Sequence, residues 1–220
     1  MSDAAEDLHP GRSKVEARRQ QIVDAAAECA RRSGFHGASM AEIAHTAGLS
    51  VGQIYRYFAN KEAIVAAIVE RDLAEMRDKF AEFETSDGGM VEAVIDRCGE
   101  AVERNYDLGR AGLMLEVMAE AARNPKVAAV VQAADTAERA LGRQVLDAAA
   151  PAGRTEAETL ARGEVLSMLF DGMALRAVNN PNVDHAEIAR VLQAVMRFLL
   201  TGGPLEAAAV AGAGSGSPAL

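Results

Sequence analysis

Apolar positions recur along most of the chain at the three-and-four spacing of helices, and no stretch alternates with period two. Ile22, Ala25, Ala26, Cys29 and Ala30 fall on one face of a helix over about 15–33, which Gly34 ends. Val65, Ile68, Val69, Leu73, Met76 and Phe80 mark a long helix over about 61–83, and Thr85-Ser86-Asp87-Gly88-Gly89 reads as loop. Helices are then predicted over about 90–107 and 109–122, the second stopped by Asn124-Pro125. Further helices span about 126–149, ended by Pro151 and Gly153, then about 155–178 and 184–201. Between those last two lies the breaker Asn179-Asn180-Pro181-Asn182. With two short helices between Ser39 and Asn60, the count is nine and the fold class all-α.

The short helices carry the most specific signal. Ser39-Met40-Ala41-Glu42 and Ser50-Val51-Gly52-Gln53 are both capping boxes, in which a serine hydroxyl and a glutamate or glutamine satisfy each other's backbone N–H groups. Two helix starts this close, with Gly48 as the breaker between them, leave about two turns and a tight connection. That is helix-turn-helix spacing. The second helix presents Gln53, Tyr55, Arg56 and Tyr57, side chains with hydrogen-bond donors suited to phosphates and groove edges.

This region resembles the DNA-binding domain of the TetR family, whose recognition helix ends in a Tyr-x-x-Phe run before Asn/Ser-Lys-Glu. Here that run is Tyr55-Arg56-Tyr57-Phe58, followed by Asn60-Lys61-Glu62. The resemblance is specific over the first third of the chain and architectural beyond it. It implies a three-helix head in front of a helical body that binds a ligand and dimerises. It further implies that Ser39, Ser50, Tyr57 and Lys61 hold phosphates, that Val51, Gly52, Gln53 and Arg56 face base edges, and that Tyr55 does either. Lys14, Arg18 and Arg19 supply a basic helix start, which in the family often reaches the minor groove or backbone and which otherwise is plain solvated surface.

Charge fits this division. The chain carries a net −9, but residues 1–61 hold eight Lys and Arg against seven Asp and Glu. An acidic body behind a near-neutral head repels DNA except at the head, and so orients it. It also argues against a protein that coats DNA without selectivity. The start, MSDAAEDLHP, lacks the apolar segment of a signal peptide, and no run approaches a membrane span, so a cytoplasmic protein is expected. The expected division is an arm over 1–13, a DNA-binding domain over 14–60, a ligand-binding and dimerisation domain over 61–203, and a disordered tail over 204–220.

The last two helices are apolar over more of their circumference than one internal face needs, which implies burial on two sides. The resemblance implies that they pair with their symmetry mates, and a homodimer suits a palindromic double-stranded DNA operator. Met90, Val94, Leu113, Met114, Val117, Met118, Leu166, Phe170 and Met173 are the residues expected to line a cavity for a small, mainly apolar effector, although any single one also reads as core. Arg97, Asn105, Glu116 and Asp171 are the polar groups available to such a cavity.

The leading function is a ligand-responsive regulator, most often a repressor in the resembled family, that works without a cofactor and is not an enzyme. Glu42-x-x-His45 and Glu6-x-x-His9 have di-iron spacing, but one pair lies in the unpatterned arm and the other on a two-turn helix, so a metal site is rejected. His36 and His185 have no partners for a zinc set, and no phosphate-cradling glycine loop or nucleophile elbow occurs. Two alternatives stand beside this reading. One is a redox-sensing regulator using Cys29 or Cys98, and the other a helical protein-interaction module without DNA binding.

Overall fold

Helix boundaries in the computed structural model, which describes residues 10–203, fall where local chemistry stops a helix. Helix α1 (Pro10–Gly37) is broken at Gly34, whose φ of 72° and ψ of 159° suit a residue without Cβ. Helix α2 (Met40–Thr46) starts at Ser39, whose hydroxyl accepts from Glu42 N–H at 3.1 Å. The return half of that predicted capping box is replaced: the Glu42 carboxylate turns to Arg32 at 2.5 Å. Helix α3 (Val51–Ile54) begins with the complete box of Ser50 and Gln53. Helix α4 (Lys61–Glu84) is capped by Asn60, whose side chain accepts from Ala63 N–H at 2.8 Å.

The predicted helix over 90–107 is two helices, α5 (Met90–Asp96) and α6 (Cys98–Tyr106). The break is at Arg97, with φ −89° and ψ 12°; no glycine or proline stands there to announce it. Then come α7 (Leu108–Ala121), α8 (Pro125–Ala149), α9 (Glu156–Asn179) and α10 (His185–Thr201). The described residues thus form ten helices and no strand, one helix more than the nine expected. None is long and apolar enough to cross a membrane. Residues 1–9 of the expected arm over 1–13, with the pair Glu6 and His9, and the tail over 204–220 lie outside the described residues, whereas residues 10–13 of that arm open α1.

Two large cores organise the chain. The first joins α1 to α4 through Ile22, Phe35, Ile43, Ile54, Phe58 and Ile68, and it continues into the body through Leu113 and Val117 of α7 and Val127 of α8. The second fills the body between α5, α6, α8, α9 and α10, with Ile95, Val102, Leu146, Leu166, Met173, Met196 and Leu200. A small patch of Ala111, Ala174 and Ala177 lets α7 approach α9 closely. At the far end of the body, Arg162 is 2% exposed. It donates to Phe198 O, Leu199 O and Gly203 O at 2.8–3.0 Å and to Glu158. Cationic donors there satisfy the carbonyls that α10 leaves open at its C-terminus.

Candidate nucleic-acid interface

The geometry begins with the turn between α2 and α3. Leu49 N–H reaches back to Ala44 O at 2.9 Å and Gly48 N–H to His45 O at 3.0 Å, the bond pair of a glycine-ended helix. Gly48 sits at φ 63°, in left-handed space that a side chain would strain. This turn joins the end of α2 to the start of α3. Ile54 and Phe58 are buried behind α3, and that leaves Val51, Gly52, Gln53, Tyr55 and Arg56 together on the outside. Val51 and Tyr55 are 38% and 53% exposed, although both have apolar bodies. A Cβ added at Gly52 would meet nothing, so another backbone can come close there.

Helix α3 is shorter than a conventional helix. Regular α geometry ends at Ile54; Arg56 N–H then bonds Gln53 O and Tyr57 N–H bonds Ile54 O, three residues back in each case. Side chains from the flanking helices fix these looser turns. Arg19 of α1 donates to Tyr57 O at 3.0 Å and lies over the Phe58 ring at 4.4 Å. Gln21 donates to Ala47 O at 2.6 Å, at the end of α2. Lys61 at the start of α4 donates to Phe35 O and, at 3.2 Å, to Ala38 O. The sequence points Lys61 to a phosphate, leaves Arg19 open between DNA contact and solvated surface, and does not single out Gln21. The only sequence signal for clamps of this kind is a long donor opposite a helix end, and it does not say which carbonyl is taken.

The remaining predicted contacts keep free hydrogen-bonding capacity. The Ser39 and Ser50 hydroxyls accept backbone N–H groups, and each retains its own O–H to donate. Gln53 spends its carbonyl on Ser50 N–H at 2.8 Å, which leaves the amide NH₂ for another acceptor. Tyr57 is half-buried against the head core, while Lys14 and Arg18 are exposed.

The nine residues expected to line an effector cavity do not come together. Leu113 and Val117 belong to the head core, because that face of α7 packs on α1. Met114 borders the small alanine patch, and Met118 is 41% exposed. Met90, Val94, Leu166, Phe170 and Met173 do share the body core. Among the proposed polar groups, Arg97 pairs with Glu82, Asn105 bonds Ala101 O, Asp171 is exposed, and Glu116 faces Phe35 in the head. On the same stretch of α7, Glu120 is nearly buried. Burial works to raise its pKa, but hydrogen bonds from Arg123 and Asn124 and the charges of Arg123 and Lys61 outweigh that and hold it below the usual carboxylate value.

Both cysteines are buried. Burial pushes the Cys98 thiol up to about 11, so at neutral pH it stays a poorly reactive thiol. Cys29 lies at zero exposure in the head core, with its sulfur 3.3 Å from the Thr46 hydroxyl. Neither has the exposure of a redox sensor, although Arg32 Nη2 comes within 4.0 Å of the Cys29 sulfur.

Residues 22–68 match the model for bacterial regulatory proteins of the tetR family. Residues 90–202 match that of the BetI-type transcriptional repressor, C-terminal. The HTH-type transcriptional regulator UidR of Escherichia coli K12 is 37% identical over 118 residues, which cover 52% of this chain and 57% of UidR. The chain therefore spans little more than half the length of that relative. Salmonella enterica GusR has a similar fold, with TM-score 0.71 and 24% identity over 90% of this chain and 99% of its own. So does Bacillus subtilis FadR, solved in complex with stearoyl-CoA, with TM-score 0.68 and 19% identity over 83% of this chain and 98% of its own.

Proposed function

The chain belongs to the TetR family, with a body of the BetI type, and from that premise we propose that it is a ligand-responsive, homodimeric repressor that binds a palindromic operator. The observation that carries the reading is the outer side of α3, where Val51, Gly52, Gln53, Tyr55 and Arg56 stand clear of a core that holds their backs. In a major groove, Arg56 and the Gln53 amide would meet base edges. Ser39, Ser50, Tyr57 and the remaining N–H of Lys61 would take flanking phosphates.

One head reads too few base pairs to be selective, so the reading requires a second copy. Apolar side chains stand exposed along α9 at Val165, Met168, Leu175 and Val178, and along α10 at Val191 and Phe198. These are the faces proposed to pair. Leu192, on the same helix as Val191 and Phe198, belongs instead to the monomer core. An apolar effector is proposed to enter among Met90, Val94, Leu166, Phe170 and Met173, where flexible and aromatic side chains share one core. FadR, a protein of similar fold, is described with stearoyl-CoA, an acyl chain on a polar carrier. Long-chain acyl compounds are therefore the first class to try.

The test is selection of duplexes from a random library by the full chain, followed by gel shift. The expected product is an inverted repeat bound by a dimer. Enrichment of no sequence over the starting pool would sink the reading, whereas enrichment of single half-sites would keep DNA binding and remove the dimer. Addition of acyl compounds to the selected complex should release the DNA.

A further inference from the structure

The corner between α1 and α2 is gripped from both sides by residues of other helices. Glu116, midway along α7, places Oε2 3.3 Å from Phe35 N, so the Phe35 N–H donates to a carboxylate of the body. The same oxygen would lie 2.9 Å from a Cβ built on Gly34, so an added Cβ would push the carboxylate end aside, and the φ of 72° independently favours glycine there. On the other side of the residue, Phe35 O accepts from Lys61 Nζ, which also holds Ala38 O at 3.2 Å. Ala38 leads directly into Ser39, the cap of α2. The Phe35 ring is fully buried in the core that Leu113 and Val117 of α7 share. Thus Leu113, Glu116 and Val117, spaced three and four apart, form one stripe of α7 directed at the head.

We infer that Glu116 is a positioning residue for DNA recognition, fixing the angle of the head to the body and thereby the half-site spacing that a dimer accepts. The inference rests on the proposed operator binding. Head and body are joined covalently only through α4, and a single helix leaves the head free to pivot unless something on another helix opposes it. The α7 stripe supplies that second point of attachment, with a directional charge-assisted bond at its centre. Spacing is a demanding readout, because one added base pair moves half-sites apart by about 3.4 Å and rotates them by about 35°. A fixed pair of heads should reject that displacement, and a loosened pair should tolerate it.

The experiment uses the full chain as wild type, Glu116→Gln, Glu116→Ala and Gly34→Ala. Each is measured against the half-sites selected above, at the preferred spacing and with one base pair removed or added, alongside its thermal midpoint. Glu116→Ala should keep the same half-site sequence and lose about tenfold of the discrimination between spacings. Glu116→Gln, which retains an acceptor oxygen, should keep most of it. Gly34→Ala should follow Glu116→Ala, since its Cβ displaces the carboxylate, and should it not fold, the Glu116 pair decides alone. A Glu116→Ala protein that melts lower yet keeps the wild-type spacing preference would overturn the inference, leaving Glu116 as packing. A change in half-site sequence would also overturn it, by placing the effect inside the reader. Wild-type chain that enriches no inverted repeat removes the operator reading, and the inference with it.

Discussion

Arg56 and Lys61 are both cations at the head surface, yet they stand in different positions. Arg56 is exposed with no partner inside the protein among the contacts of the described residues, so its fork is available to a guanine edge. Lys61 already holds Phe35 O and Ala38 O. Arg56→Ala should therefore leave the melting temperature unchanged and blunt base preference at one position of each half-site by about 1–3 kcal/mol. Lys61→Ala should do the reverse. Its melting temperature falls, because two carbonyls lose a charged donor at about 1–3 kcal/mol. All duplexes weaken together, with a log–log salt slope smaller by about one if a phosphate contact is also lost. Thermal melts and binding across salt concentrations and operator variants separate the two. Uniform weakening by Arg56→Ala with preferences intact would make it a backbone clamp.

At the scale of elements, α9 and α10 each have one face in the body core and one face bare. Phe198 is 57% exposed and Leu192 is 8% exposed, six residues away on the same helix. Phe198→Glu should fold as a monomer and lose operator binding with the head untouched. It places a charge in the proposed seam, where an unpaired charge costs several kcal/mol, but not in the monomer core. Leu192→Glu should instead fail to fold. Sedimentation or scattering on Phe198→Glu decides, and a stable dimer with full affinity would move the seam elsewhere. This contrast also marks what the sequence makes legible. Starts at Ser39, Ser50, Asn60, Thr155 and Asp184 were readable because a cap is a contact between residues a few positions apart. The sides of the helices were not. Periodicity says that Leu113, Met114, Val117 and Met118 lie along one broad flank of α7, and only tertiary packing sends Leu113 and Val117 to the head and Met118 to solvent. The Arg97 break was illegible for the same reason, since Asp96-Arg97-Cys98 carries no local stop signal. In the reader, the exposed residues of α3 followed from a local motif, whereas the grips of Arg19, Gln21 and Glu116 join positions 26 to 81 residues apart.

Across the whole molecule, net charge of −9 is concentrated behind the head, and part of it is poorly solvated. Glu138 on α8 has its pKa raised, first by burial and then by the negative charges of Asp171, Asp135 and Asp72, with Arg104 opposing. Asp72 on α4 is raised by burial against the pull of Arg110, and Asp171, exposed on α9 yet partly desolvated by its neighbours, first by that desolvation and then by the charges of Asp135 and Glu164. A carboxyl raised in the folded state binds its proton more tightly than the unfolded chain does. Stability from these groups therefore grows as pH falls from their raised folded values toward the ordinary carboxylate range, and is lost as pH rises through that window. Glu138→Gln should accordingly melt above wild type at neutral pH, with the gap closing as pH falls toward the ordinary carboxylate range. Scanning calorimetry of both proteins across that range checks it. A variant that melts lower at neutral pH would mean that the Glu138 charge serves a pairing that outweighs its burial.

The core that runs unbroken from Phe35 and Ile68 into Leu113, Val117 and Val127 bears on how such proteins can be recombined. A hybrid regulator made by cutting at Asn60, the border between the proposed reader and the proposed sensor, would carry over α1 to α3 with one flank shaped for a different α7. It would expose or misfit apolar surface at the graft, and would leave Gly34 opposite whatever residue replaces Glu116. Transplants of this reader onto another sensor should function when the host's α7 stripe is rewritten with it, and the natural cut follows that stripe more than it follows the chain.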